Sequence, residues 1–117
     1  MLDKILSFLG QPVERFDVTS QLSKLSSSLC YGIYDPVRRT VRLYMYARSS
    51  QNIALSDVLF TIPTEYRPKF NTGIPAINTM DNQYTGAYHV TIQSDGKIKQ
   101  NLSNSCREVM AVGEYII

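Results

Sequence analysis

The stretch Thr40-Val41-Arg42-Leu43-Tyr44-Met45-Tyr46-Ala47-Arg48 alternates aliphatic side chains with aromatic or basic ones. Successive side chains of a β-strand point to opposite faces, so this period of two predicts a strand with one face in the core. An antiparallel strand with one solvated face ordinarily alternates more cleanly than this one, whose second face is aromatic and basic. We therefore predict that Tyr44 and Tyr46 lie in a contact between subunits, with ordinary surface tyrosines as the alternative.

Further strands are predicted on both sides of this stretch. Residues 29–34 precede it across the short polar connection 35–39, which predicts a hairpin. Ser94-Asp95-Gly96 predicts a second hairpin, because Gly96 supplies the positive φ that a tight turn needs. Polar loops are predicted over residues 49–52 and 79–86. The remaining predicted strands are 54–62, 72–78, 87–93, 97–100, 107–112 and 114–117. Roughly seven or eight short strands are typical of an antiparallel β-sandwich or a small barrel.

A short leader, residues 1–16, precedes the β-rich body, residues 17–117. Four apolar side chains of the leader recur at the spacing of one helix face. These are Leu2, Ile5, Leu6 and Leu9. Gly10 and Pro12 end this predicted helix, which is too short to be stable alone. Its apolar stripe is therefore expected to be buried against the body of the chain, a partner chain or a copy of itself. No small-residue cleavage site follows, so synthesis in a cytosol is expected.

Composition excludes several classes of protein. The chain has 117 residues, of which 44% are hydrophobic and 19% charged. This length excludes a two-domain enzyme, and the composition excludes a disordered chain. The net charge of +2 is too small to indicate a nucleic-acid partner. No apolar run approaches the roughly 20 residues that cross a bilayer, so no membrane span is predicted.

The inventory for catalysis or metal binding is poor. Cys30 and Cys106 belong to no C-x-x-C pair, and they are read as buried thiols, although one disulfide between them stays open. His89 is the single histidine, and none of its neighbours on the same face of the predicted strand carries a carboxylate. No catalytic, phosphate-binding or metal-binding pattern occurs. We predict no enzyme, no catalytic residue, no metal and no cofactor.

The run Val58-Leu59-Phe60-Thr61-Ile62-Pro63-Thr64-Glu65-Tyr66-Arg67-Pro68 resembles a signature of phage proteins. That signature is an apolar strand followed by L-P-x-G-Y-R-P, in C-terminal domains of tail-fibre, baseplate and minor structural proteins. Glu65 stands where the signature usually has glycine. The strand pairs in residues 31–46 and 87–99 are similar to the same layout, so the resemblance covers about residues 17–117. The strand order is similar to the head domains of lactococcal phage receptor-binding proteins.

This resemblance implies a fold and an assembly. It implies an antiparallel β-sandwich of jelly-roll type, assembled as a homotrimer, with the short N-terminal helix as a docking or trimer-nucleating element for other virion proteins. The corner formed by Pro63, Tyr66, Arg67 and Pro68 is read as structural. The prolines stiffen it, the tyrosine ring can lie on the sandwich edge, and the guanidinium can bond carbonyls or a carboxylate.

Two functions from different classes follow. The first is a virion protein, made in the host cytoplasm, whose head recognises host-surface carbohydrate. Aromatic faces beside planar polar groups suit sugar binding, and one segment has that composition. Its candidate residues are Asn82, Gln83, Tyr84, Tyr88 and His89. The second is a structural virion component (head fibre, decoration or baseplate adaptor) that binds other phage proteins. An unrelated intracellular β-domain is a third interpretation.

Overall fold

The computed structural model describes residues 13–80, 83–101 and 106–117, and it describes no side chains for residues 78–80 and 83–88. The predicted helical leader, with Leu2, Ile5, Leu6 and Leu9, lies outside the described residues. The described chain is all-β, as predicted, and its strands form one antiparallel sheet of eight strands in the order β1-β2-β3-β8-β5-β6-β7-β4. The strands are β1 Glu14–Asp17, β2 Leu25–Asp35, β3 Thr40–Ile53, β4 Phe60–Thr61, β5 Thr72–Met80, β6 Gln83–Ile92, β7 Lys97–Gln100 and β8 Cys106–Ile116.

Both hairpins predicted from turn residues are present. β2 and β3 pair in continuous register from Asp35↔Thr40 to Ser27↔Arg48. Asp35 closes their connection, because its Oδ1 accepts hydrogen bonds from the backbone N–H groups of Val37 and Arg38 at 3.0 and 3.2 Å. β6 and β7 flank the second turn, in which Gly96 has a φ of +89°. Local turn chemistry thus determines both of these pairings.

Three segments differ from the sequence-based prediction. Residues 49–52 are not a loop, since β3 continues to Ile53 with a register shift against β8. Within residues 54–62 only Phe60–Thr61 is strand. Asp57 Oδ2 accepts from the Ala54 backbone N–H at 2.7 Å, so a turn forms there instead. Residues 79–80 and 83–86 are strand, because pairing between β5 and β6 runs on to Met80↔Gln83.

The leader also contributes to the sheet. β1 lies across the boundary placed between residues 16 and 17, and it pairs with β2 from Glu14↔Tyr34 to Asp17↔Tyr31. The inward ring of Phe16 packs into the core at 7% exposure.

A single core joins both halves of the sheet. Side chains of β2, β3 and β8 pack in one cluster with side chains of β5, β6 and β7. The two sheet edges also approach each other beyond their strands. Ser20 Oγ, after β1, donates a hydrogen bond of 2.7 Å to the carbonyl oxygen of Leu59, before β4. The sheet therefore curls around its core, and its other side faces outward.

Candidate functional site

The predicted division of β3 into two faces is confirmed. Val41, Leu43, Met45 and Ala47 are buried. Arg42 and Arg48 are exposed, and the two tyrosines between them are half-buried. The strand register places residues of β2, β8 and β5 beside these outward side chains.

We call this surface the outer face. It is formed by Leu29, Tyr31, Ile33, Arg42, Tyr44, Tyr46, Arg48, Ile77, Glu108, Met110, Val112 and Glu114. Four of its aliphatic side chains are unusually exposed: Leu29 is 53%, Val112 51%, Ile77 44% and Met110 41% exposed. Four strands about 4.8 Å apart, over six residues of about 3.4 Å each, give a face of roughly 15 by 20 Å. Exposed apolar patches of this order, a few hundred Å², commonly serve binding.

Aromatic side chains organise one side of the outer face. The rings of Tyr31 and Tyr44 stack across the β2–β3 pair, with centroids 4.8 Å apart. The guanidinium of Arg15 lies 4.2 Å from the Tyr31 ring centroid, and an ion pair of 3.0 Å to Asp17 holds it there. Stacked rings lose little conformational freedom on binding, so this row is suited to a protein contact.

Charged side chains lie at both ends of the outer face. Arg42 is opposite Glu114, and Arg48 is opposite Glu108. Tyr46 Oη donates a hydrogen bond of 2.7 Å to Glu108 Oε2, and this bond raises the pKa of the phenol. Apolar and aromatic residues between a polar rim match the composition of protein interfaces.

Sequence reasoning identified only part of this surface. It found Tyr44 and Tyr46, but it missed Leu29, Met110 and Val112. The alternation along residues 106–116 does carry a signal, since Met110 and Val112 face opposite to buried Val109 and Ala111. Their meaning depends on the position of β8 between β3 and β5, which no local pattern shows.

Several side-chain contacts hold the corner after β4 in place. Arg67 Nε donates a hydrogen bond of 2.7 Å to the carbonyl oxygen of Ile62. The Tyr66 ring stacks on Phe16 at 4.1 Å, and its hydroxyl donates to Glu14 at 2.8 Å. Tyr115 Oη donates to the carbonyl oxygen of Tyr66 at 2.8 Å.

These contacts give the corner a structural position. They connect β1 to the far edge of the sheet, while Pro63 and Pro68 lie on either side of the 3-10 turn Thr64–Tyr66. Burial raises the pKa of Tyr115 far above its ordinary value, so its hydroxyl stays a donor to this corner.

Of the five predicted sugar-binding residues, only His89 has a described side chain. Asn82 lies outside the described residues. Gln83, Tyr84 and Tyr88 belong to β6, but their side chains lie outside the description. His89 is exposed on the same strand, opposite Pro75.

A different concave site lies beside the corner. It has a volume of about 510 Å³, and its lining includes Lys69, Phe70, Asn71, Glu114 and Ile116. The Phe70 side chain is 81% exposed and that of Ile116 73% exposed. Asn71 Oδ1 accepts a hydrogen bond of 2.9 Å from the Ser94 backbone N–H, which holds this amide in place. Protein sites that bind sugars commonly combine an exposed aromatic ring with a fixed amide side chain.

Cysteines and metal-ligating side chains form no further candidate site among the residues that the structure describes. Cys30 and Cys106 are buried, and burial raises the pKa of Cys30 to about 12. Within the described ranges, no three ligating side chains are grouped to hold a metal ion. The described segments likewise include no helix of sufficient length and apolarity to cross a membrane.

No protein-family model matches the chain, and no curated protein is similar to it in sequence.

Proposed function

We propose that the chain is a phage virion protein, a head domain of fibre or baseplate type that assembles as a homotrimer through its outer face and binds other virion proteins through its leader. The resemblance of residues 58–68 to the phage signature supports the virion assignment. The observation that carries the binding role is the outer face itself, where four half-exposed aliphatic side chains adjoin a tyrosine row. A patch of this size is on the scale of the largest apolar patch of a monomeric protein, and such patches often serve binding.

The finer fold belongs to the same proposal. The strands β1-β2-β3-β8 and β5-β6-β7-β4 act as the two layers of a jelly-roll sandwich. The shared cluster supports this, because Leu43 of β3 and Ile92 of β6 belong to one core. Layers that share a core pack about 10 Å apart and leave their other sides for contacts.

Of the two roles, we favour the structural component, because an aromatic and aliphatic outer face with a charged rim suits a contact between copies better than a polar glycan. Other virion proteins bind through residues 1–10 of the leader, which provide the attachment to the particle in this proposal. Deleting residues 1–10 tests the attachment, and unchanged assembly into particles would exclude it.

Host-surface carbohydrate recognition is the second candidate role. The cavity beside Phe70 favours it, because the exposed ring lies next to Asn71 and Lys69. Phe70→Ala should then abolish binding of the purified chain to host cells or wall polysaccharide. Tyr84→Ala and His89→Ala test the segment predicted from sequence. Unchanged cell binding in all three variants would exclude this role.

Solution mass is the first test of the binding role. Light scattering behind size exclusion should give about three times 13.3 kDa for the chain. Val112→Lys should give monomers, because it places a charge in the centre of the outer face. Leu55→Lys is the matched control, since Leu55 is 48% exposed outside the outer face and its substitution should leave the mass unchanged. A monomeric wild-type chain would refute the homotrimer.

The virion assignment needs a separate test. Mass spectrometry of purified particles from the strain that encodes the chain should detect it in stoichiometric amount. Its absence from particles, with the chain present in the infected cell, would refute the assignment.

A further inference from the structure

The charges of the outer face are sorted by strand. β3 carries Arg42 and Arg48 at its two ends, whereas β8 carries Glu114 and Glu108. The register places Arg42 level with Glu114, and Arg48 level with Glu108. One side of the face is therefore basic at both ends, and the neighbouring side is acidic at both ends.

This order selects one kind of symmetry. A rotation about an axis parallel to the strands keeps every residue at its own level along the strand. It therefore brings the β3 side of one copy against the β8 side of the next, with arginine facing glutamate at both ends. A two-fold axis across the strands would instead place Arg42 over Arg48 of the other copy. Like charges in that position oppose association.

We propose that copies of this chain associate through the outer face about an axis parallel to β3 and β8, and that Arg42 of one copy pairs with Glu114 of the next. The inference rests on the proposed homotrimer and specifies its arrangement. Tyr44 and Tyr46 of one copy then meet Val112 and Met110 of its neighbour, each pair at one level along the strands.

The state of Arg42 and Glu114 within one chain supports this pairing. Both side chains are exposed, and they are opposite in register, where unlike charges commonly pair. Among the described residues, neither of them forms an ion pair within 4 Å. Both charges are thus available to a second copy. At the other end Glu108 already accepts the Tyr46 hydroxyl, so Arg42 and Glu114 are the cleaner pair to test.

Two full-length variants provide the experiment. Arg42→Glu makes both positions acidic, and Glu114→Arg makes both basic. Each variant alone has like charges at all contacts of its trimer. A mixed trimer has unlike charges at two of its three contacts, because the contacts in a ring are head to tail. The variants differ in mass, so native mass spectrometry of the co-expressed chains resolves every composition.

Mixed trimers should exceed the random proportion. Random assembly leaves about a quarter of the trimers unmixed. We expect the unmixed fraction to fall several-fold below this value, and each variant alone should dissociate several-fold more readily than wild type. A pair formed only within one chain cannot produce this result, because both variants lack it. The control pair Glu65→Lys and Lys97→Glu makes the same charge changes away from the outer face, and it should mix at random.

The outcomes separate the two proposals. A monomeric wild-type chain refutes the homotrimer and the arrangement together. A trimeric wild-type chain whose Arg42 and Glu114 variants mix at random refutes the arrangement alone. A preference for mixed dimers at the expense of trimers refutes the trimer but supports the parallel axis.

Discussion

Adding one methyl group at Gly96 tests how the corner after β4 is held. Gly96 has a φ of +89°, a conformation that residues with a Cβ rarely adopt. A Cβ at this position would lie 2.5 Å from Arg67 Nε and 2.6 Å from the carbonyl oxygen of Ile62. These two atoms form the 2.7 Å hydrogen bond of the corner. Gly96→Ala therefore strains the turn and separates the bonded pair in one step.

The loss in unfolding free energy can be estimated from both effects. A residue with a side chain held at positive φ costs about 1–3 kcal/mol. Losing a hydrogen bond from a charged group costs about 1.5–3 kcal/mol. We expect a combined loss of about 3–5 kcal/mol, a large share of the roughly 5–15 kcal/mol that stabilises a typical domain.

Urea unfolding followed by circular dichroism measures this loss. All variants are compared at one protein concentration, because self-association also stabilises the folded chain. Gly73→Ala is the matched control. Its Cβ would lie 2.8 Å from Cδ2 of His89, an exposed side chain that can rotate away, so the loss should stay below about 1 kcal/mol. If Gly96→Ala is as stable as Gly73→Ala, the reasoning about the corner is wrong.

A double-mutant cycle isolates the hydrogen bond. Arg67→Ala should cost less in the Gly96→Ala background than in the wild type, because the bond to Ile62 is already broken there. Additive losses would show that the added methyl group acts through φ alone.

Three further predictions concern the rest of the chain. Gly32→Ala places a Cβ 2.2 Å from the Phe16 ring, so thermal unfolding should show a loss of about 1–3 kcal/mol. Burial raises the pKa of Asp57, but hydrogen bonds that include the one from Lys24 outweigh it and hold this pKa below its ordinary value. The resulting stability is present above the unfolded-state pKa and is lost as pH falls through the folded-state pKa. The stability difference between wild type and Asp57→Asn should therefore disappear in acid. With a pKa of about 12, Cys30 should resist a thiol reagent at pH 8 until denaturant is added, and rapid labelling of the native chain would contradict this.

Local signals predicted the elements whose pairing is local. The β2–β3 hairpin follows from the polar connection at Asp35, and the β6–β7 hairpin follows from Gly96. The period of two in β3 identified which side chains are buried, because the pleat fixes it regardless of the partner strand.

Long-range pairing is what the sequence does not show. Ile53 pairs with Cys106, and this contact extends β3 through a polar stretch that looks like a loop. Residues 54–62 look like a strand, but the bond between Ala54 and Asp57 turns the backbone away. Thr79 and Tyr84 are paired within an extended hairpin, although their polar surroundings predicted a loop. In each case hydrogen bonds determine the conformation of the backbone, and the composition of the segment does not.

The outer face shows why function is harder to predict here than fold. The inward residues of β3 and β8 determine the core, and the alternation leaves the outward ones free of that requirement. Replacing Met110 and Val112 by polar residues would leave every core contact of Val109 and Ala111 in place. Burial in this core therefore does not account for the exposed apolar side chains, whereas the proposed contact between copies would cover them. Arginine lies on β3 and glutamate on β8, and this separation gives the proposed interface a direction. Covering apolar side chains alone would not require any such arrangement of charges. A partner that pairs with these charges must carry the opposite charges at the same spacing, and another copy of the chain carries them.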